Sequence, residues 1–194
     1  MIKILVTQEL SDVQLVQSAL KDPEAFAVFV ERFQAPLRRY LLRLGCRESE
    51  DVDDVLQDVF LKVYINLNEY DTRLALSSWV YRIAHNEAVS SFRKKNVRPR
   101  LVESDEELRI FEAIIDDSDA VGLLDEKRRA PAIRAAMQIL DGQSRDVMVL
   151  KYFEEKSYDE ISDILKIPPG TVGTLVYRAK KMMKDVLISK NIHL

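Results

Sequence analysis

Scarcity marks this chain first. Its 194 residues include one cysteine, two histidines, five glycines and six prolines. A single cysteine, Cys46, forms no internal disulfide, which fits a reducing compartment. With only His85 and His193 beside it, no zinc-binding set exists. The scattered glycines make no phosphate-cradling loop, and no Ser/His/Asp or Cys/His arrangement emerges. Neither catalytic residues, nor a metal, nor a cofactor are therefore expected. Low glycine and proline also argue against collagen-like, linker-like and turn-rich all-β chains. No apolar run approaches the roughly 18–20 residues of a membrane span, and the patch Met1–Val6 is too short for a secretory signal core. The composition predicts a soluble, cytoplasmic protein that is not an enzyme, inserts in no membrane and takes no small-molecule substrate.

What is present is ample core material, 47% hydrophobic residues, beside 31% charged ones. Lys and Arg number 29 against 32 Asp and Glu, a formal net charge of −3. That excludes a uniformly basic nucleic-acid coat but not a segregated basic face. The segregation is strong. Between Glu48 and Asp71 the acids stand against Lys62 alone, whereas Arg82, Arg93, Lys94, Lys95, Arg98 and Arg100 then face only Glu87. Glu103 to Asp119 is acidic again, relieved by Arg109, and the end of the chain is basic, with Arg178, Lys180, Lys181, Lys184 and Lys190 against Asp185. A solvated helix face accounts for any one block. Four alternating blocks together favour at least two partners of opposite charge.

The periodicity predicts an all-α fold: two small helical domains joined by an acidic linker, the second ending in a helix-turn-helix. Ser11 with Gln14 reads as a capping box before a stripe of Val13, Val16 and Leu20. Asp22-Pro23 reads as a cap and first helical position, Pro36 as a kink or restart, and Gly45 as a stop. Val52, Val55, Leu56, Val59, Phe60 and Val63 form one face of the next helix, and Asp51, Asp54, Gln57 and Asp58 form another. A further helix starts near Ser77 or Ser78, carries Trp79, Val80, Ile83 and Ala84, and runs into Arg93-Lys94-Lys95. The acidic stretch after Pro99 breaks the periodicity, although residues 108–115 can form a short helix. Pro131 opens a second helical set, Asp141-Gly142 ends its first helix, and Ser144 begins the next. Ser157 with Glu160 is a second capping box. Ile167-Pro168-Pro169-Gly170 is a tight break, after which Thr171 caps a last helix with Val172, Leu175, Val176, Ala179 and Met183 on one side. Two helices joined by so short a turn suggest a helix-turn-helix.

Three surfaces carry chemistry. Thr174, Tyr177, Arg178 and Lys181 share the outer face of the last helix, where a helix entering a major groove reads base edges and neutralises phosphates. Trp79, Tyr81 and Arg82 with the following Arg93-Lys94-Lys95 combine an aromatic surface with a cationic track, which suits unstacked bases. Trp79 itself suits a core anchor at a helix start better than a stacking surface. Asp51, Asp54 and Asp58 share a helix face, but an open face supplies no closed ligand cage. Docking of a basic helical partner fits them better than a metal.

These parts, in this order, resemble the extracytoplasmic-function group of bacterial RNA polymerase sigma factors, of the sigma-70 family, from about Leu10 to about Leu187. Asp51-Val-Asp-Asp-Val-Leu-Gln-Asp-Val-Phe60 is similar to the family's core-polymerase-binding segment. Ser78-Trp-Val-Tyr-Arg-Ile-Ala-His-Asn86 is similar to its promoter-melting segment. Ser157 to Leu165 followed by Ile167-Pro-Pro-Gly-Thr-Val172 resembles its final helix-turn-helix. The resemblance implies a region 2 domain over 8–97, an acidic linker over 98–129 and a region 4 domain over 130–190. It implies that Asp51, Asp54, Gln57 and Asp58 bind core RNA polymerase. Trp79, Arg82, Asn86, Arg93 and Lys94 would then engage minus-ten promoter DNA, double- and single-stranded. Thr171, Thr174, Tyr177, Arg178 and Lys181 would engage the minus-thirty-five element. An anti-sigma factor is an implied partner. Gly173 and Leu175 depart from the basic residues many members carry there. A stand-alone helix-turn-helix regulator is the alternative, but its dimerisation face would be apolar rather than lined with Asp54 and Asp58.

Overall fold

The computed structural model describes residues 10–46, 49–95, 136 and 139–192. The acidic segment 98–129, the short helix expected over 108–115, the start at Pro131, and Glu48, Arg98 and Arg100 lie outside them. Among the described residues every regular element is helical, and no helix is long and apolar enough to cross a membrane. The chain divides into two compact units.

The first unit contains α1 (Asp12–Lys21), α2 (Phe26–Leu44), α3 (Ser49–Asn66), a 3-10 turn (Leu67–Glu69) and α4 (Leu76–Lys95). The capping box forms as expected: Gln14 N–H donates to Ser11 Oγ, and Ser11 N–H donates to Gln14 Oε1. The stripe behind it differs, because Leu15, Val16 and Ala19 are buried while Val13 and Leu20 stay exposed. This narrow strip is the apolar side of α1, and α1 packs on α2. Asp22 Oδ1 accepts from Glu24 N–H at 2.8 Å, and a tight turn over Pro23–Ala25 precedes α2. The helix thus opens three residues later than the Asp-Pro pair suggests.

α2 continues through Pro36 without a break. An interior proline costs a helix about 3 kcal/mol. Phe33 and Leu37, on either side, are buried, and each such side chain contributes roughly 1.5–3 kcal/mol, enough to offset it. Gly45 ends α2 at φ 114°, with its N–H donating to the Leu42 carbonyl and Cys46 N–H donating to the Leu41 carbonyl. This is a Schellman stop, which requires a residue that tolerates positive φ. α2 buries Phe29, Phe33, Leu37, Tyr40, Leu41 and Leu44 against Val52, Val55, Leu56, Val59 and Val63 of α3 and against α4.

Polar ties lace these helices together. Arg32 of α2 donates to Asp12 at 2.7 Å and to the Leu10 carbonyl at 3.3 Å. Arg38 pairs with Asp53, and Lys95 pairs with Asp51. Lys62 donates to Glu87 at 2.5 Å. Tyr40 shares a hydrogen bond of 3.2 Å with His85 Nδ1, and burial holds that imidazole down at about 4. Burial, with Asp51 nearby, pushes the Cys46 thiol up to about 11, so it stays protonated and inert.

The second unit contains α5 (Gly142–Tyr152), α6 (Tyr158–Leu165) and α7 (Pro169–Ile192). Asp141 opens α5, ahead of the expected start at Ser144, because Asp141 Oδ1 accepts Ser144 N–H at 2.7 Å, while the helix expected to end there lies largely outside the described residues. The capping box at Ser157 and Glu160 forms as expected. Lys166 closes α6 in the left-handed region at φ 55°, and Ser162 Oγ donates to the Ile167 carbonyl at 2.6 Å. α7 opens at Pro169, two residues before Thr171. Proline is suited to a first helical position, and Thr171 therefore lies in the first turn instead of capping it. Val172, Val176, Ala179 and Met183 are buried and Leu175 is half-buried, with α7 packed on α5.

Candidate functional site

On α3 the acids separate into two groups. Asp51 is drawn toward α4 by Lys95, with 31% of its side chain exposed, and Asp53 is engaged by Arg38. Asp54, Gln57 and Asp58 are exposed and show no hydrogen bond or ion pair among the described residues. A spacing of four puts Asp54 and Asp58 on one face, and steps of three and four beyond them reach Leu61 and Ile65, which are 56% and 63% exposed. The polar stripe thus runs into an apolar one that the sequence reading did not include. The signal was available, since Leu61 and Ile65 fall seven and eleven residues after Asp54. Asp51, Asp54 and Asp58 form no ion-holding cluster with other ligands among the described residues.

On α4 the aromatic and cationic parts are divided. Trp79 is 5% exposed and packs on Tyr70, ring centroids 5.6 Å apart, while the Tyr70 hydroxyl donates to the Leu74 carbonyl. Tyr81 is likewise buried, against Tyr40 at 4.9 Å. Neither ring offers a face to a base, so the core-anchor reading of Trp79 fits the structure. Arg82 is half-buried, and Asn86, Arg93 and Lys94 are exposed. Arg82, Asn86 and Arg93 fall on one side of the helix at steps of four and seven. This stripe can present an amide and two guanidinium groups outward, the donors and acceptors that suit base edges and phosphates.

On α7, Thr171, Thr174, Tyr177, Arg178 and Lys181 are all exposed, and Tyr177 is 69% exposed. The buried positions take the opposite side. Thr174 Oγ1 donates to the Gly170 carbonyl at 2.9 Å. Gly173, half-buried, faces the ring of Tyr158, whose Cε2 lies 3.5 Å from where a Cβ would stand. Lys151 Nζ lies 5.2 Å from the centre of that ring, and Lys180 Nζ lies 5.4 Å from that of Tyr152. These tyrosine–lysine pairs were not visible as pairs in the sequence, because they join different helices.

Comparison with known proteins assigns both units. Residues 29–98 match the family model for sigma-70 region 2, and residues 131–183 match that for sigma-70 region 4. The ECF RNA polymerase sigma factor SigW of Bacillus subtilis is 31% identical over 173 residues, covering 86% of this chain and 90% of its own. Among solved structures, CnrH in complex with the cytosolic domain of CnrY is 24% identical, with a TM-score of 0.62 over 90% of this chain and 95% of its own. The sigma factor RpoE of Bartonella quintana, solved with the anti-sigma factor NepR, is 20% identical, with a TM-score of 0.56 over 84% and 96%.

Proposed function

The chain belongs to the extracytoplasmic-function group of the sigma-70 family, and we propose that it binds core RNA polymerase and directs it to a promoter class through two DNA-reading units. One observation carries this reading: regions 2 and 4 both match within one chain, in that order. A stand-alone helix-turn-helix regulator has no need of the first. Members of this family are initiation factors, and the role proposed here uses no catalytic residue and no cofactor. We place the protein in the cytoplasm, where polymerase and promoter are. We further propose control by an anti-sigma factor, the kind of partner with which the Bartonella quintana protein is solved.

The domain assignment we propose is region 2 over 8–97, linker over 98–129 and region 4 over 130–190. Within region 2, Asp54, Gln57 and Asp58 dock on a basic surface of the polymerase, supported by their exposure and their lack of competing partners among the described residues. Asp51 serves instead to hold α4 through Lys95. Arg82, Asn86, Arg93 and Lys94 engage minus-ten DNA, with Asn86 at a base edge and the cations on phosphates. Trp79 supports that face from beneath. Within region 4, Thr171, Thr174 and Tyr177 face bases of the minus-thirty-five element, while Arg178 and Lys181 hold phosphates.

The experiment is transcription reconstituted from core polymerase and this protein, on duplexes recovered by sequencing DNA bound to the holoenzyme. Asp54→Ala with Asp58→Ala is expected to lower core affinity at least tenfold while leaving helical content unchanged. Native affinity in that variant would overturn the docking assignment. Promoter-independent binding of the lone chain as a dimer would favour the regulator.

A further inference from the structure

A turn-long stretch of α7 after the exposed Thr171 holds two neighbouring residues that have no donor to offer. Gly173 has no side chain, and the Tyr158 ring covers the direction one would take, with Cε2 3.5 Å from the Cβ position. Thr174 is exposed, but its Oγ1 donates to the Gly170 carbonyl at 2.9 Å. A threonine hydroxyl has one proton and two acceptor lone pairs. With the proton held inside the helix, Thr174 presents lone pairs and a methyl group outward. No Lys or Arg occurs between Pro169 and Tyr177, so the first cation of this helix is Arg178, one turn further along.

Base edges sort sharply against such a reader. In the major groove the guanine edge carries only acceptors, N7 and O6, and thymine carries an acceptor and a methyl. Adenine N6 and cytosine N4 carry the exocyclic amino donors. An acceptor without a free proton finds a hydrogen-bond partner only at those amino groups.

We propose that Thr174 determines minus-thirty-five specificity as a hydrogen-bond acceptor, reading one exocyclic amino group, adenine N6 or cytosine N4, and discriminating against the guanine edge. This rests on the assignment of α7 to duplex DNA made above. It differs from a generic polar contact in sign: a freely rotating hydroxyl would serve guanine as well as adenine.

The test uses holoenzyme carrying the wild-type protein, Thr174→Val or Thr174→Ser, on the duplex recovered from holoenzyme-bound DNA. Analogues are introduced one position at a time. Purine replaces adenine and 2-pyrimidinone replaces cytosine, each deleting an amino group, and 7-deazaguanine replaces guanine to delete an acceptor. Comparison between proteins on the same duplex cancels effects of the analogue on the duplex itself. At one position, amino deletion is expected to weaken wild type and Thr174→Ser by about 3- to 10-fold, the worth of one neutral hydrogen bond, and to leave Thr174→Val unaffected. The proposal is overturned if the Thr174-dependent loss appears with 7-deazaguanine, or if no analogue separates wild type from Thr174→Val. Arg178→Ala distinguishes the two levels of failure. If it weakens duplex binding while Thr174→Val responds like wild type, only the acceptor assignment fails. If it too leaves binding unchanged at every salt concentration, the assignment of α7 to DNA fails.

Discussion

The two units are held together by different means. The first is tied across its surface by pairs that join distant parts of the chain: Arg32 to Asp12, Arg38 to Asp53, Lys62 to Glu87, Lys95 to Asp51 and Tyr40 to His85. The polar contacts described in the second are mostly local: Asp141 to Ser144, Ser157 to Glu160, Ser162 to Ile167 and Thr174 to Gly170. A unit whose helices start and stop on their own signals frees its surface for reading. One whose surface is laced by charge pairs leaves open the residues those pairs do not engage, on α3 among the described residues Asp54, Gln57 and Asp58.

The largest effect expected from breaking this contrast lies in the first core. Trp79→Ala removes a buried ring beside Tyr70 and should destabilise α2–α4 by about 3–5 kcal/mol. Asn86→Ala, at an exposed position one and a half to two turns along, should stay within about 0.5 kcal/mol. Hydrogen exchange read helix by helix checks both. A Trp79→Ala protein with native protection would move that ring out of the core and back toward the face of α4 proposed for DNA.

Acid should push the two units in opposite directions. Burial keeps His85 neutral in the folded first unit, down at about 4. The unfolded chain protonates first, so the stability this group contributes is present above its ordinary value of about 6.5 and is lost as pH falls toward 4. In the second unit, burial pushes Asp146 up to about 7. There the folded state keeps a proton that the unfolded chain releases above about 4, so stability is present at low pH and is lost as pH rises through 7. Between pH 7 and 5, α2–α4 should lose and α5–α7 should gain on the order of 2 kcal/mol each. Exchange protection at the two pH values, corrected for intrinsic rates, measures this. His85→Gln should cancel the loss and Asp146→Asn the gain.

Smaller changes sharpen the distinction between local and distant ties. Ser157→Ala removes the cap of α6 and should cost about 1 kcal/mol, seen as a lower melting temperature. Lys95→Met removes an exposed tie between α3 and α4 and should cost only a few tenths of a kcal/mol, fading further in high salt. A larger loss from Lys95→Met than from Ser157→Ala would reverse the ordering of the two units.

The same contrast governs what the sequence reveals. Ser11 with Gln14 and Ser157 with Glu160 were legible because a capping box is complete within four residues. Asp141-Gly142 reads as a helix end with Ser144 as the next start, yet Asp141 caps α5, because aspartate starts a helix as readily as glycine follows one and the Ser144 N–H decides. Thr171 looked like a cap because threonine favours that role, yet Pro169 takes the first helical position before it. Asp51 could not be told from Asp54 by spacing: its partner Lys95 stands 44 residues away. Trp79 had two credible roles until Tyr70 was found against it. The exposed polar faces of α3 and α7 followed from helical periodicity alone, because each is the side opposite an apolar stripe.

Two of the distant ties have a mechanical consequence. Asp51–Lys95 and Lys62–Glu87 fasten α3 to α4 at two points, about 16 Å apart along α3 and about 12 Å apart along α4. A rod pinned once can still swivel about the pin, whereas a rod pinned twice keeps its azimuth. Whatever grips the outer side of α3 therefore also sets the direction in which Arg82, Asn86 and Arg93 point, to within the play of two side chains.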